Sequence, residues 1–501
     1  MTISSRSSGI LMHLSCLPGK YGIGDLGQSA YEFVDFLSET GTKYWQVLPL
    51  NPTGYGNSPY QGLSAFAGNP LFIDPDHLAE LRLLKTEDFS NSPRLPKQNV
   101  NFNKVIRFKR RLLEKAFSAF YSSKRSPFKN EFEKYKELNQ VWLENYCLFM
   151  AIRENYHLAS WKDWPNPLRF REPQAILFFE EQHNKEVEFH AFLQFIFHLQ
   201  WQNLREYSHN KGIHFIGDIP IFLGYDCADV WAYPELFKLN NRLEPPVVAG
   251  VPPDYFSPTG QLWGNPLYDW EIHHQNCYHW WIKRFKETLK FVDVIRLDHF
   301  RGFAGYYQIP SGAETAEEGE WVTGPGSELF NAIKSDLGYL PFIAEDLGTV
   351  TPDVIDLRDR FALPGMKILQ FAFGGNSIND YLPYNYPINC VAYTGTHDNP
   401  PSLGWYQNTA SENERQLCRQ YLGKTREFIP HAMIRSIWSS TAKLAIAPMQ
   451  DVLALGTNAR MNTPATSQGN WRWRMKPGAV TDEIKTWLSE INMVYNRSLH
   501  I

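Results

Sequence analysis

Chemistry first shows itself where apolar runs end in charge. The stretch Phe291-Val-Asp-Val-Ile-Arg-Leu-Asp-His-Phe-Arg-Gly302 begins as a buried strand would and closes on Arg296, Asp298 and His299. Residues two apart in a strand share a face, so Arg296 and Asp298 project together and Asp293 projects the other way. A guanidinium beside a carboxylate favours the ionised form, which suits an anionic nucleophile at neutral pH. Two more apolar runs end alike: Phe342-Ile-Ala-Glu-Asp in Glu345 and Asp346, and Tyr393-Thr-Gly-Thr-His-Asp in His397 and Asp398. Alternation leaves open whether Glu345 or Asp346 joins the others. If the three runs are parallel strands of one barrel, their ends meet on one face. Crowded carboxyl groups then force one of them to keep its proton. One ionised and one protonated carboxyl is what glycoside cleavage needs, and in its retaining form the two stand only about 5 Å apart.

Such a face must be built by strands. Eight short β-rich runs are spaced along the chain: Tyr44 to Leu50, Leu71 to Ile73, His214 to Ile219, Phe291 to Leu297, Pro341 to Ala344, Met366 to Phe371, Cys390 to Thr394 and Ala445 to Val452. Helical patterns such as Ala30 to Glu39 and Trp280 to Leu289 alternate with them, which predicts a parallel sheet. Eight strands predict an α/β fold of the (β/α)8 TIM-barrel type, with large, mainly helical insertions between the strands. The whole chain, 1–501, reads as a single catalytic barrel. An insertion at about 75–210 carries helical periodicity, clearest from Phe102 to Tyr156, and its Lys109-Arg110-Arg111 reads as a solvated helix face. A second insertion at about 220–275 is rich in Pro, Gly and aromatics and poor in regular pattern, as active-site loops often are.

Composition narrows the substrate. A formal net charge of −4 over 501 residues gives no reason to seek nucleic acid or an anionic membrane. The 16 Trp and 25 Tyr offer flat amphipathic rings for stacking on apolar ligand faces. Cys16, Cys147, Cys227, Cys277, Cys390 and Cys418 form no CxxC pair, so a reducing cytoplasm is the expected home. The apolar stretch Gly9 to Leu14 is too short for a signal core, and no run approaches the ~20 residues of a membrane helix. Gly22-x-Gly-x-x-Gly27 satisfies a dinucleotide fingerprint, but Leu17-Pro-Gly-Lys-Tyr21 before it is no strand, so it reads as a turn. His273, His274 and His279 read as surface histidines without metal-ligand spacing. A Mg²⁺ site on Asp298, Glu345 and Asp398 is disfavoured because the three come from the fourth, fifth and seventh strands, whereas such sites draw on neighbours. No metal and no cofactor is expected.

Arg296-x-Asp298, Glu345 and His397-Asp398, in this order, resemble the catalytic motifs of the α-amylase clan. Longer strings resemble the 4-α-glucanotransferases of glycoside hydrolase family 77, called amylomaltase or disproportionating enzyme. They include Gly22-Ile-Gly-Asp-Leu-Gly27, Ser58-Pro-Tyr-Gln61, Ser64-Ala-Phe-Ala-Gly-Asn-Pro70, Gly217-Asp-Ile-Pro-Ile-Phe222, Ala249-Gly-Val-Pro-Pro-Asp-Tyr-Phe-Ser257, Gly260-Gln-Leu-Trp-Gly-Asn-Pro266 and Gly469-Asn-Trp-Arg-Trp-Arg474, and so span nearly the whole chain. The resemblance implies that Asp298 is the nucleophile, Glu345 the acid/base and Asp398 the carboxylate that binds ring hydroxyls and stabilises the transition state. It further implies hydroxyl-binding roles for His299 and His397, orienting roles for Asp218 and Arg296, and stacking of Tyr60 on the transferred glucose. Asp254, Tyr255, Phe256, Gln261, Trp263 and Asn265 resemble a segment that covers donor and acceptor. The expected substrates are α-1,4-glucans such as starch or maltooligosaccharide chains, with glucose or a glucan as acceptor. An α-amylase-type hydrolase is the alternative, and the complete triad argues against a mere glucan-binding protein. Three places depart from the family pattern: Pro400-Pro401-Ser402 after His-Asp-Asn, the run Phe371 to Ser377 without its usual acidic residues, and Tyr384 where His is common. These touch acceptor preference and efficiency and spare the three carboxylates.

Overall fold

Strands buried on both faces read as short, nearly continuous apolar runs, and eight of them close a barrel. They are β1 (Ser7–Leu11), β2 (Tyr44–Gln46), β3 (His214–Pro220), β4 (Val294–Asp298), β5 (Phe342–Ala344), β6 (Gly365–Ile368), β7 (Cys390–Tyr393) and β8 (Leu444–Pro448). The sheet runs β6-β7-β8-β1-β2-β3-β4-β5 with every pair parallel. The ring closes where the Ala344 N–H of β5 donates to the Pro364 carbonyl just before β6, at 2.9 Å. This computed structural model describes residues 5–90, 92–122, 128–253, 257–423, 426–466 and 468–498. The loop positions Asp254, Tyr255 and Phe256 lie outside the described residues.

The (β/α)8 expectation holds, but one strand was misplaced. Leu71–Ile73 is not a strand: Pro70–Phe72 forms a 3₁₀ turn opened by Asn69, whose side chain accepts the Leu71 N–H at 3.0 Å. A proline at the first position and a capping Asn favour that turn over a ladder. The missing strand is β1, hidden because Ser7, Ser8 and Gly9 do not look apolar. Its neighbours demand small residues there, since a Cβ on Gly9 would stand 3.1 Å from Tyr44 of β2 and 3.2 Å from Ile446 of β8. One run replaces the other, so Asp298, Glu345 and Asp398 still follow the fourth, fifth and seventh strands.

A second correction concerns the segment at about 220–275. Val247–Val251 and Gln261–Pro266 form an antiparallel pair in a four-stranded sheet completed by Gly305–Pro310 and Glu320–Thr323. Prolines and glycines obscured the pattern, and two of the four strands come from beyond β4, a pairing that local periodicity does not reveal. Gly250 is required by the close approach, because a Cβ there would lie 2.3 Å from the Gln261 carbonyl oxygen.

Between β2 and β3 the chain is helical, with Phe102–Ser122, Lys129–Asn155 and Asn184–Asn210 as its longest elements. Rings lock these three together, Phe120 lying 5.4 Å from Phe132 and 5.0 Å from Phe192, and Phe132 5.6 Å from Phe195. Lys109 is not on a solvated face. It is 1% exposed, and its ammonium donates to Asp25 at 2.7 Å and to the carbonyls of Leu71 and Ile73 at 2.8 and 2.9 Å. All three ammonium donors are used, which is what lets a lysine be buried. Charge density alone hid this, because Arg110 beside it does face outward toward Glu114 and Glu154. His273 also departs from the surface reading: it is 1% exposed, sits edge-on to Tyr268 and is pushed down to about 4 by burial, while His274 and His279 are exposed. The Gly22–Gly27 segment is a turn, as expected, with a Cβ on Gly24 1.9 Å from the Leu14 carbonyl oxygen.

Because the Lys109–Asp25 pair is enclosed, Lys109→Met is expected to cost about 3–5 kcal/mol of unfolding free energy, and Asp25→Asn in the same chain to recover much of it. Urea unfolding measures both. A loss below about 1 kcal/mol, the range of exposed pairs, would contradict the enclosed geometry.

Candidate active site

β3 and β4 lie in register with Asp218 opposite Arg296. Arg296, 3% exposed, donates from Nη1 to Asp218 Oδ2 at 2.7 Å, to Asp218 Oδ1 at 2.9 Å and to Asp298 Oδ1 at 2.9 Å. Strand parity does what it must: Asp293 points the other way, to Arg205 at 2.8 Å and the Phe215 N–H at 2.8 Å. Burial works against the Arg296 charge, but the Asp218 and Asp298 carboxylates outweigh it and hold the guanidinium well above its ordinary value. Burial lifts the Asp218 carboxyl, with Asp298 adding to the rise and Arg296 opposing it.

The choice between Glu345 and Asp346 is settled by their partners. Asp346 turns away to the Met366 N–H at 2.7 Å and Arg358 at 2.6 Å. Glu345 accepts the His299 N–H at 2.7 Å and the Leu347 N–H at 3.3 Å, beside the end of β4. His299 takes a left-handed φ of 51°, a conformation costly for a residue with a Cβ, and in that turn its N–H reaches Glu345. Burial first, and then the neighbouring Asp298, push the Glu345 carboxyl up to about 8 against the pull of Arg296. Burial pushes the His299 imidazole down to about 4.

Asp398 completes the set after β7. Burial would raise its carboxyl, but the His397 ring at 3.3 Å and the Asn462 amide at 2.7 Å hold it well below the usual carboxylate range. Burial pulls His397 down, yet Asp398 prevails and the imidazole titrates above its ordinary value. Tyr60 stacks on His397 with centroids 5.0 Å apart and donates its hydroxyl to Asp218 at 2.7 Å, so one ring ties two strand ends together.

Residues 12–481 match the sequence family described as "4-alpha-glucanotransferase". The chain belongs to that family. It is 47% identical over 487 residues to the 4-alpha-glucanotransferase of Thermus thermophilus, covering 95% of this chain and 96% of that one. With the 4-alpha-glucanotransferase of Clostridium butyricum it shares 45% identity over 489 residues, covering 97% and 100%. The solved amylomaltase from Streptococcus agalactiae in complex with acarbose superposes with a TM-score of 0.95 at 39% identity, over 98% of this chain and 100% of that one. The activity is that of a 4-α-glucanotransferase, a glycosyltransferase of the amylomaltase kind.

The glucanotransferase opens a cleft over these groups. Tyr60, Gln261, Trp263, Asn265, Asp298, His299, His397 and Asp398 line it. Asp218 and Arg296 lie beneath, and Glu345 stands beside. Gln261, Trp263 and Asn265 are alternate residues of one strand and so share a face, with Trp263 edge-on to His299 at 4.9 Å. Asn265 is spent largely on structure, donating to the Leu223 carbonyl at 2.8 Å. Sequence reasoning missed Asn462 and Arg460, whose side chains donate to the Asp398 carboxylate and carbonyl, each at 2.7 Å. Trp471, in the string Gly469 to Arg474, is a further one, its ring 5.9 Å from His397. The available signal was topological: the loop after the last barrel strand must also reach the mouth. The mouth carboxylates accept from Arg296, Tyr60, His397, Asn462 and backbone donors. Among the described residues the one grouping of His, Cys, Asp and Glu near enough to share an ion is elsewhere, at His209, His214 and Asp293.

A step that draws a proton from Glu345 loses rate as pH rises through about 8, where the carboxyl ionises. The alkaline limb of kcat/KM for transfer is expected there. A profile flat well beyond that pH would show that the Glu345 proton is not used.

Proposed function

We propose that the chain transfers a segment of an α-1,4-glucan to the 4-hydroxyl of a second glucan or of glucose through a covalent intermediate on Asp298. Asp298 Oδ1 is occupied by Arg296, which leaves Oδ2 to attack C1 of the donor. As that bond forms, the C1–O4 bond breaks and O4 takes the proton of Glu345. The acceptor oxygen then attacks C1 and releases Asp298, while its proton passes to Glu345, so the configuration at C1 is retained. Asp398, kept ionised, binds ring hydroxyls and offsets the positive charge that develops on the sugar ring. Tyr60, Trp263 and Trp471 give apolar faces on which sugar rings stack. The covering role read for Asp254, Tyr255 and Phe256 belongs to the same proposal. The observation that carries the reading is the pairing of a carboxyl that titrates near 8 with a carboxylate braced by arginine.

A relative solved with acarbose supports an α-glucan substrate. The steps use no metal or cofactor. No described helix is long and apolar enough to cross a membrane, and five of the six unbridged cysteines are buried, so we place the enzyme in the cytoplasm. Plant relatives carry chloroplastic or amyloplastic names.

With maltotriose as sole substrate, the expected products are glucose and a ladder of longer maltooligosaccharides, sized by chromatography. Glucose and maltose alone would overturn transfer in favour of the hydrolase. A 5-fluoro glycosyl donor is expected to label Asp298 in peptide mass spectra, and a label on another carboxylate would refute the assignment.

A further inference from the structure

We infer that His209, His214 and Asp293 form a binding site for a divalent transition ion, with Zn²⁺ as the type case, at the end of the barrel opposite the catalytic mouth. Asp293 immediately precedes β4 and His214 opens β3, so both stand at the amino ends of strands whose carboxyl ends carry Asp298 and Asp218. His209 lies in the last turn of helix Asn184–Asn210, and a short turn returns the chain into β3. Helix end and strand start therefore bring two imidazoles to one carboxylate.

One ligand atom from each of His209, His214 and Asp293 lies within 4.8 Å of the other two. His209 Nε2 is 3.0 Å and His214 Nδ1 3.7 Å from Asp293 Oδ2. Two ligands about 2.0–2.1 Å from a tetrahedral ion stand roughly 3.4 Å apart, so these spacings bracket what the ion requires. His214 Nδ1 is buried and has no hydrogen-bond partner, and it points at the carboxylate from beyond hydrogen-bond reach. The donor set, two imidazoles and one carboxylate, suits Zn²⁺, Ni²⁺ or Co²⁺ rather than Ca²⁺ or Mg²⁺, which take oxygen.

The surrounding groups orient the carboxylate. Arg205 takes Asp293 Oδ1 at 2.8 Å, and the Phe215 N–H takes one side of Oδ2 at 2.8 Å. Oδ2 also faces the histidines, where it shares a 3.0 Å hydrogen bond with His209 Nε2 that a bound ion would replace, an outer-shell arrangement of the kind that aims metal-ligating carboxylates. Arg205 is also the chief cost, because its positive charge faces any bound cation from the far oxygen. The side chains are 34%, 17% and 9% exposed for His209, His214 and Asp293, which leaves a path for the ion and room for water to complete its shell. Bound there, the ion ties the helix end to the starts of β3 and β4. The effect falls on stability, the role usual for this end of a barrel.

Zinc chloride titrated calorimetrically into chelator-treated enzyme is expected to show one saturable equivalent. Co²⁺ should give the visible absorption of a four-coordinate site. The unfolding midpoint should rise with Zn²⁺ and fall back with EDTA, while maltotriose disproportionation stays unchanged. His209→Gln and His214→Gln should each lose the Co²⁺ absorption. Arg205→Met should bind more tightly than the parent, which a pure ion-pair cluster would not do. Absence of a saturable equivalent, or parent-like Co²⁺ spectra in both histidine variants, would show the cluster to be an ion-pair hub only.

Discussion

One guanidinium sets the terms for the whole mouth. Arg296 reaches both Asp218 and Asp298 from a single nitrogen, inside a barrel where it is 3% exposed. Around it stand four carboxyl groups, Asp218, Asp298, Glu345 and Asp398, and the further countercharges nearby are the His397 imidazole and the Arg460 guanidinium at the Asp398 carbonyl. The surplus of carboxyls over cations cannot be ionised together at low dielectric, so one keeps its proton. Glu345 is that group because burial and then Asp298 lift it while its hydrogen-bond partners are uncharged backbone N–H groups, whereas Asp398 has the His397 imidazole beside it. The division into one protonated and one ionised carboxyl is thus a result of burial and charge counting in a confined space. Such a cluster is poor evidence of stability, since buried ion pairs seldom repay their desolvation, and it is good evidence of a site.

The fold supplies that confinement cheaply through strand parity. A single strand start and a single strand end serve opposite poles: Asp293 collects Arg205, His209 and the Phe215 N–H, while Arg296 and Asp298 two positions apart look into the mouth. The same rule governs the accessory sheet, where Gln261, Trp263 and Asn265 line the cleft while Leu262 between them is exposed. That sheet has its own small core of Val248, Tyr307, Ile309 and Ala316, separate from the barrel core. The sheet's other face, through Ala249 and Tyr306, joins the barrel core, so the cleft wall rests on the barrel although it is built from different chain segments.

How much of this was legible follows from which interactions are local. The pairing of Arg296 with Asp298 is fixed by a spacing of two, and the apolar run before it marks a strand without ambiguity. The convergence of Glu345 and Asp398 on it needed only the inference of a parallel barrel. What escaped depends on partners far away in sequence. β1 reads as polar because Gly9 answers to Tyr44 and Ile446. Lys109 reads as solvent-facing because its acceptors are at Asp25, Leu71 and Ile73. The choice of Glu345 over Asp346 hinges on the His299 turn and on Arg358, which no alternation rule contains. Asn462 was invisible for the same reason, being tied to Asp398 across 64 positions.

The Pro400-Pro401 departure shows how a loop beside the chemistry can change without moving the group it follows. A proline at 400 removes one N–H, so the question is whether the loop's geometry rested on that donor. The turn's order comes from elsewhere: Asn399 Oδ1 accepts the Thr396 N–H at 2.9 Å, Gln370 donates to the Pro400 carbonyl at 3.0 Å, and Asp451 receives the Ser402 N–H at 2.6 Å and its hydroxyl at 2.7 Å. Asp398 itself is gripped from the β8 side by Asn462 and Arg460. Proline's fixed φ then adds stiffness between two points that are already pinned, and the cost falls on no catalytic hydrogen bond. Constraint on the Asp398 carboxylate thus lies in side chains reaching it from the next loop, which is why the backbone that carries it tolerates an unusual sequence.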